Sequence, residues 1–310
     1  MVMVTSTRYH RKVIRIRAAD SPNVKAGRQV FPGVLTREEY EYRRKHWDPI
    51  RQCIGLDAQF YRGPELMLIP PAWLERSHQL WYDLRQRGRL GRKAEAIGCD
   101  PGEGAANTCW SAVDELGLIE LDSFRTPDTS DIEGYTIEFG RRHQVPHDKW
   151  CLDRGGGGKQ VKDRLNKNGF DAMTVAFGEG LVPEPHSYST PVDERVEARE
   201  ERYAYKNRRA QMYGKLRELM DPKLNPKGFA LPPDDYGPQY AELNRQLGLI
   251  PIRYDEEGRM YLPPKQNKDP KSKVETLTKI LGCSPDEADS LVVAVYAMTA
   301  EEAYMTAGTF

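Results

Sequence analysis

Apolar positions along this chain fall into two textures that divide near residue 94. Before it, apolar residues are sparse and interrupted by charge. Residues 36–54, TREEYEYRRKHWDPIRQCI, predict a strongly charged helix, and Thr36 with Glu39 three positions later has the spacing of a capping box. Ser21-Pro22-Asn23 and Phe31-Pro32-Gly33 punctuate the segment with turns, and LMLIPPAWLERSHQLWYDLRQRG closes it. So little apolar surface does not make a closed core. Residues 1–93 therefore read as the tail of something larger, or as a basic arm lying on the remainder.

From residue 94 the periods become regular. AEAIGCD predicts a short strand, and CWSAVDEL and LIELDSF alternate around Gly117 as antiparallel strands do. A helix is expected over about 128–143, and KWCLD reads as a buried strand ending in a carboxylate. Glycines 155–158 lead into the helix VKDRLNKN, closed by Gly169, and DAMTVAF is a further strand. Strands alternating with helices after an antiparallel start predict an α/β fold with a mixed sheet flanked by helices, over residues 94–310.

Residues 179–202 are rich in Pro and Glu and read as a mobile insertion. A basic helix is expected over 203–220, then a hairpin around Glu256-Glu257-Gly258 and the Lys- and Pro-rich loop PPKQNKDPKSK. The last helix opens with Ser284 as N-cap, Pro285 first and Glu287 third. It continues as ADSLVVAVYAM, apolar nearly all round, which predicts burial against the sheet.

Composition narrows the class. The 310 residues are 39% hydrophobic and 30% charged, and no apolar run approaches the roughly 18 residues that span a bilayer. MVMVTSTRYHRK has too short an apolar stretch for a signal peptide, which predicts a cytosolic protein without a membrane partner. Five scattered cysteines with no C-x-x-C pair argue for buried free thiols over a disulfide framework or a zinc site. The formal net charge of zero conceals an asymmetry: residues 1–93 carry 19 Lys and Arg against 9 Asp and Glu, whereas the remainder carries 27 against 37. One region suits a polyanion and the other is rich in carboxylates.

The candidate chemistry lies in acidic residues at the ends of hydrophobic elements. Asp100 ends AIGCD, Asp153 ends KWCLD, and Asp286 and Asp289 share one face of the first turn of the last helix. A carboxylate at the rim of a core needs a cation, and a magnesium or manganese ion would take several such oxygens. Asp286 could equally serve the helix N-terminus, and Asp100 and Asp153 could be turn residues. The loop RGGGGKQ lacks the order of a P-loop, with Gln160 where Ser or Thr would stand. Asp-Pro-Gly-Glu-Gly at 100–104 also fits the phosphate loop of an actin-like ATPase. Lys206, Arg208, Arg209, Lys215 and Arg217 lie on the basic helix, which is either a solvated face or a track for a DNA backbone.

GCDPGEG, CLDRGGGGKQVKDRL, YKNRRAQMYGKLRE and SPDEADSLVVAVYAM, in that order, resemble the nuclease domain of the large terminase subunit of tailed bacteriophages over roughly residues 60–300. SPNV…FPGVLTREEYEYRR…LIPPAWLERS looks like the family's segment between ATPase motor and nuclease, so 1–93 would be a basic linker. The resemblance implies a ribonuclease H-like fold and a metal-dependent DNA endonuclease that cuts concatemeric viral DNA during packaging in the host-cell cytoplasm. Carried across, Asp100, Asp153 and Asp289 would be the catalytic, metal-binding triad, with Asp286 a fourth ligand. Asp100 would bridge two Mg2+ or Mn2+ ions whose shells Asp153 and Asp289 complete.

Lys206, Arg208, Arg209, Lys215 and Lys273 would contact double-stranded DNA. A phage portal, a small terminase subunit and an ATPase motor supplied elsewhere would be partners. No Walker motif is present here, so the chain looks like the C-terminal part, from a split gene or a shortened chain. The readings set against this one are an actin-like nucleotide-binding ATPase and a non-catalytic DNA-packaging adaptor.

Overall fold

The computed structural model describes residues 3–5, 12–47, 52–59, 66–102, 104, 106–181, 204–267 and 274–299. In the N-terminal part, β1 (Met3–Thr5) and β2 (Lys12–Ile14) pair antiparallel. Helix α1 (Pro22–Ala26) and helix α2 (Arg37–His46) follow. The capping box at Thr36 and Glu39 forms as the sequence predicts. The helix stops at His46, with Trp47 already extended at φ −77° and ψ 142°, and in place of one helix to about 54 the described residues give a separate π-helical turn at Gln52–Leu56.

Strand β3 (Leu66–Met67) pairs with β9 (Pro251–Tyr254), which also pairs with β10 (Met260–Tyr261) across the predicted hairpin. Leu68 and Ile69 are fully buried, and α3 (Pro71–Gln86) buries Trp81. This stretch of the basic N-terminal third thus lies directly on the remainder of the molecule.

The central sheet runs β6-β5-β4-β7-β8, from β4 (Ala96–Asp100), β5 (Asn107–Asp114), β6 (Gly117–Arg125), β7 (Trp150–Asp153) and β8 (Met173–Val175). β4, β5 and β6 form the predicted antiparallel meander, whereas β4, β7 and β8 are parallel. Between β6 and β7 comes α4 (Thr129–Arg142), N-capped by Asp128, and between β7 and β8 comes α5 (Gly158–Lys167). Both were expected. The strand expected from DAMTVAF shrinks to three residues.

Side-chain alternation divides the core into two layers. Ile97, Cys99, Trp150 and Leu152 pack with Ile132, Phe139, Val161 and Leu165 of α4 and α5. Ala96 and Cys151 instead join the core under α6 (Arg208–Met220), α7 (Pro238–Leu249), α8 (Leu277–Leu281) and α9 (Asp286–Thr299). The period of two then assigns Asp100, two beyond Gly98, and Asp153, two beyond Cys151, to the α9 face.

Gly98 makes the close approach of α9 possible. A Cβ there would lie 2.2 Å from the Ala294 nitrogen and 2.4 Å from the Ser290 oxygen. Leu291, Val292, Val293 and Val295 of α9 are fully buried, each such side chain contributing about 1.5–3 kcal/mol of transfer free energy. All five cysteines are unpaired, with Cys99, Cys109 and Cys151 buried. Among the described residues no helix is long and apolar enough to cross a membrane.

Candidate active site

The four acidic residues singled out from the sequence meet at one end of the sheet. Asp100 and Asp153 leave the C-terminal ends of two neighbouring parallel strands, and the first turn of α9 brings Asp286 and Asp289 over them. Asp289 is fully buried and Asp100 nearly so. The two glycine-rich loops flank the cluster and touch each other. Gly156 has φ +57°, and a Cβ on it would lie 2.2 Å from the Pro101 oxygen. That loop needs glycine for both its backbone angle and its proximity.

Lys265, which sequence reasoning did not select, stands among these carboxylates. Its Nζ lies 3.0 Å from Asp289 Oδ2, 3.5 Å from Asp286 Oδ1 and 3.9 Å from Asp100 Oδ2. It follows β10 and two prolines, in a loop with several other lysines, and nothing in the local sequence marks it out. Lys273, chosen instead, lies outside the described residues.

Arg209 and Lys206 illustrate how the basic helix departs from expectation. Its N-cap, Asn207, accepts from the Ala210 amide, so the helix begins five residues after the predicted start. From that start, Arg209 and Tyr213, at i and i+4, share the face that packs against α9. Arg209 Nη2 and the Tyr213 hydroxyl both donate to Asp289 Oδ1, at 3.2 and 2.6 Å. Arg208 is buried, donates to Gln211 and lies over the Tyr296 ring. Lys206 is exposed beside the Tyr261 ring, and Lys215 lies 3.6 Å from Glu218. Two of the four described cations in the expected DNA-contact set therefore face protein, and two face outward.

The electrostatics follow from burial and crowding. Burial pushes the Asp100 carboxyl well above its usual range, Lys265 opposes the shift, and Asp289, Asp153 and Asp286 add to it. Asp153 is pushed up to about 6, first by burial and then by Asp289. Burial would raise Asp289 too, but Arg209 and Lys265 outweigh it and hold that carboxyl below the ordinary value. Lys265 is raised despite its burial by the carboxylates around it. Four carboxylates against two cations leave a formal surplus of two negative charges.

Asp286 serves two partners, accepting from the Ser284 hydroxyl at the start of α9 while approaching Lys265. Among the described residues no group of three carboxylates is close enough to form a ready-made cage for an ion. The donor set nonetheless fits a hard divalent cation. Its atoms are carboxylate oxygens, one ammonium already stands where positive charge is required, and the surplus charge matches such an ion.

No family model matches the sequence, and no curated protein does. Solved structures do. The nuclease domain of the large terminase subunit gp2 of bacterial virus Sf6 aligns with a TM-score of 0.55 at 16% identity, covering 74% of this chain and 98% of that one. A mutant of that domain with manganese gives 0.53 at 16% identity, with 74% and 99% covered. A mutant with calcium gives 0.54 at 16%, with the same coverage. At this identity the likeness establishes the fold. The mixed five-stranded sheet flanked by helices is that of large-terminase nuclease domains, which is ribonuclease H-like, as the resemblance of the motifs implied.

Proposed function

We propose that this carboxylate cluster is the catalytic centre of a divalent-metal-dependent endodeoxyribonuclease that cuts concatemeric viral DNA during genome packaging. The supporting observation is the convergence of Asp100, Asp286 and Asp289 on one ammonium group, with Asp153 at the end of the neighbouring parallel strand crowding Asp289. The fold is shared with a terminase nuclease domain solved with manganese.

Asp100, Asp153 and Asp289 would hold two Mg2+ or Mn2+ ions, with Asp286 as a fourth ligand. When bound, the metals would lower the pKa of an attacking water and neutralise the leaving 3′ oxygen. The chain's own groups prepare the site. Arg209 and Tyr213 hold one oxygen of Asp289 and leave Oδ2 turned toward the cluster. Lys265 supplies a positive charge beside the carboxylates, where it can meet the scissile phosphate. The surplus negative charge of the metal-free site repels DNA, so metal and substrate binding reinforce each other.

Lys206 and Lys215 face outward and, with Lys273, would meet the phosphates of double-stranded DNA. We also propose the basic segment 1–93 as a linker to an ATPase motor, seated on the nuclease domain 94–310 through residues 66–86. A portal, a small terminase subunit and that motor would complete the packaging machine in the host-cell cytoplasm.

The test is conversion of supercoiled plasmid to nicked and linear forms in manganese. Asp100→Asn, Asp153→Asn and Asp289→Asn each abolish it, while Asp286→Asn reduces it less. Wild-type rates in any of the first three remove that residue from the centre. ATP binding without cleavage by the native chain would replace the reading with an ATPase, and an inert protein that binds neither metal nor ATP would favour a packaging adaptor.

A further inference from the structure

At the other end of the sheet lies a cavity of about 650 Å³ whose lining includes Trp81, Tyr236 and Tyr240 together with Arg92, Lys93 and Glu120. Glu120 on β6 is level with Ile97 on β4, three residues back from Asp100 and two strands across. That separates it from the carboxylate cluster by roughly 10 Å along the strands and roughly 10 Å across them.

The aromatic side is a row of three neighbouring rings tilted 59° and 47° against one another. The Tyr236 ring is 4.7 Å from Trp81 and 5.2 Å from Tyr240, centroid to centroid, and Tyr236 is 49% exposed while the other two are buried. A half-exposed ring backed by buried rings is a stacking surface with one face to offer.

The polar side has donors to spare and its acceptor is taken. The Glu120 carboxylate lies 2.8 Å from His143 Nε2 and 3.2 Å from Arg142 Nη2. Arg92, whose side chain is nine-tenths buried, uses Nε on Asp114 and Nη1 on the Arg89 carbonyl. Its Nη2 is buried with no hydrogen-bond partner. Lys93 is exposed and forms no ion pair among the described residues. Arg92 lines the cavity, and a guanidinium with an unmatched donor calls for anionic oxygen beside it. The volume falls within the range of about 300–1,000 Å³ that holds small organic ligands.

We propose that this cavity binds one unstacked nucleotide unit, its base against Tyr236 and its phosphate against Arg92 and Lys93. A purely apolar ligand would leave the Arg92 donor unpaired. An acidic peptide would satisfy it but leave the aromatic row without a planar partner. The unit is either a free nucleotide or the terminal residue of a single strand. The proposal stands apart from the nuclease reading, because it involves none of the four aspartates and requires no metal.

Titration calorimetry of the full chain in EDTA tests it, with dAMP and a 5′-phosphorylated hexathymidylate as probes. Binding of at least one probe is expected. Tyr236→Ala, at an exposed ring, should weaken it about tenfold or more, as loss of a base–aromatic stack does. Lys93→Ala should weaken it and flatten the log–log salt dependence by about one unit. Asp153→Asn should leave the affinity unchanged. Equal affinity for both probes assigns a free nucleotide, and binding of the oligonucleotide alone assigns a strand end. No binding at millimolar probe, binding unaffected by both substitutions, or binding only of an acidic peptide overturns the proposal.

Discussion

The two ends of the central sheet hold their carboxylates in opposite ways. At the Glu120 end Asp114 pairs with Arg92 and Glu120 lies against Arg142 and His143, with Arg142 also reaching Asp122. There the Glu120 carboxyl sits below its usual range, principally because His143 hydrogen-bonds it. At the Asp100 end four acids share Lys265 and Arg209, and burial drives Asp100 and Asp153 upward. Asp114, Glu120 and Asp122 each lie against an arginine, whereas the four aspartates at the Asp100 end crowd one lysine and one arginine, so unbalanced negative charge is concentrated where strand ends and the first turn of α9 converge.

The strongest way to break this comparison is to remove one acid from each end. Asp114→Asn leaves a buried guanidinium unpaired and should cost roughly 3–5 kcal/mol of stability, read as a shifted denaturant midpoint. Asp100→Asn should leave the metal-free melting temperature equal or higher, because like-charge repulsion is relieved. A large loss of stability in Asp100→Asn would place that residue in a balanced structural pair.

Acidity separates the ends next. A carboxyl at about 6 in the folded chain and near 3.8 when unfolded binds more protons folded, so stability falls as pH rises from about 4 through 6. For Asp153 alone the loss reaches up to about 3 kcal/mol by pH 7.5, and Asp153→Asn should remove that slope. Melting curves in EDTA at pH 5 and 7.5 measure it. A wild-type protein more stable at the higher pH, with the slope unchanged in Asp153→Asn, would deny the crowding.

Lys265→Ala takes away a shared cation and should lower metal-free stability by about 1–3 kcal/mol. Manganese should then raise the melting temperature more than in the wild type, since it replaces the missing charge. An equal rise in both proteins would mean that Lys265 and metal do not compete for the same carboxylates. The smallest effect belongs to the outward lysines. Lys206→Ala with Lys215→Ala should flatten the salt dependence of DNA binding by about one to two units and weaken all sequences alike.

Much of the sheet was legible, because period-two alternation fixes which face a strand-end carboxylate takes. The sequence marked Asp100 and Asp153 as carboxylates ending apolar strands, and the face they share came from the packing of Gly98 and Cys151 under α9. The capping box at Thr36 was legible because it is local, whereas α9 starts at Asp286, one residue later than an N-cap at Ser284 requires, and the Ser284 hydroxyl donates to the Asp286 carboxylate. What escaped was long-range. Helix α7 was not assigned, because its buried polar residues hide its inner face: Gln246 donates to Glu287 and accepts from the Ala288 amide, and Asn244 donates to the Pro232 carbonyl. Lys265 could not be told from its neighbouring lysines, since its role depends on contacts with residues 21, 24 and 165 positions away. The inward turn of Arg209 depends on where Asn207 starts the helix and on an aspartate 80 residues later.

Anomalous diffraction from a manganese-soaked crystal would locate the metal itself. Two manganese peaks roughly 3.5–4 Å apart are expected, ligated by Asp100, Asp153 and Asp289, with the Lys265 ammonium displaced from among them. Lys265 still seated between Asp100, Asp286 and Asp289, with no manganese at the cluster, would contradict the proposed metal centre.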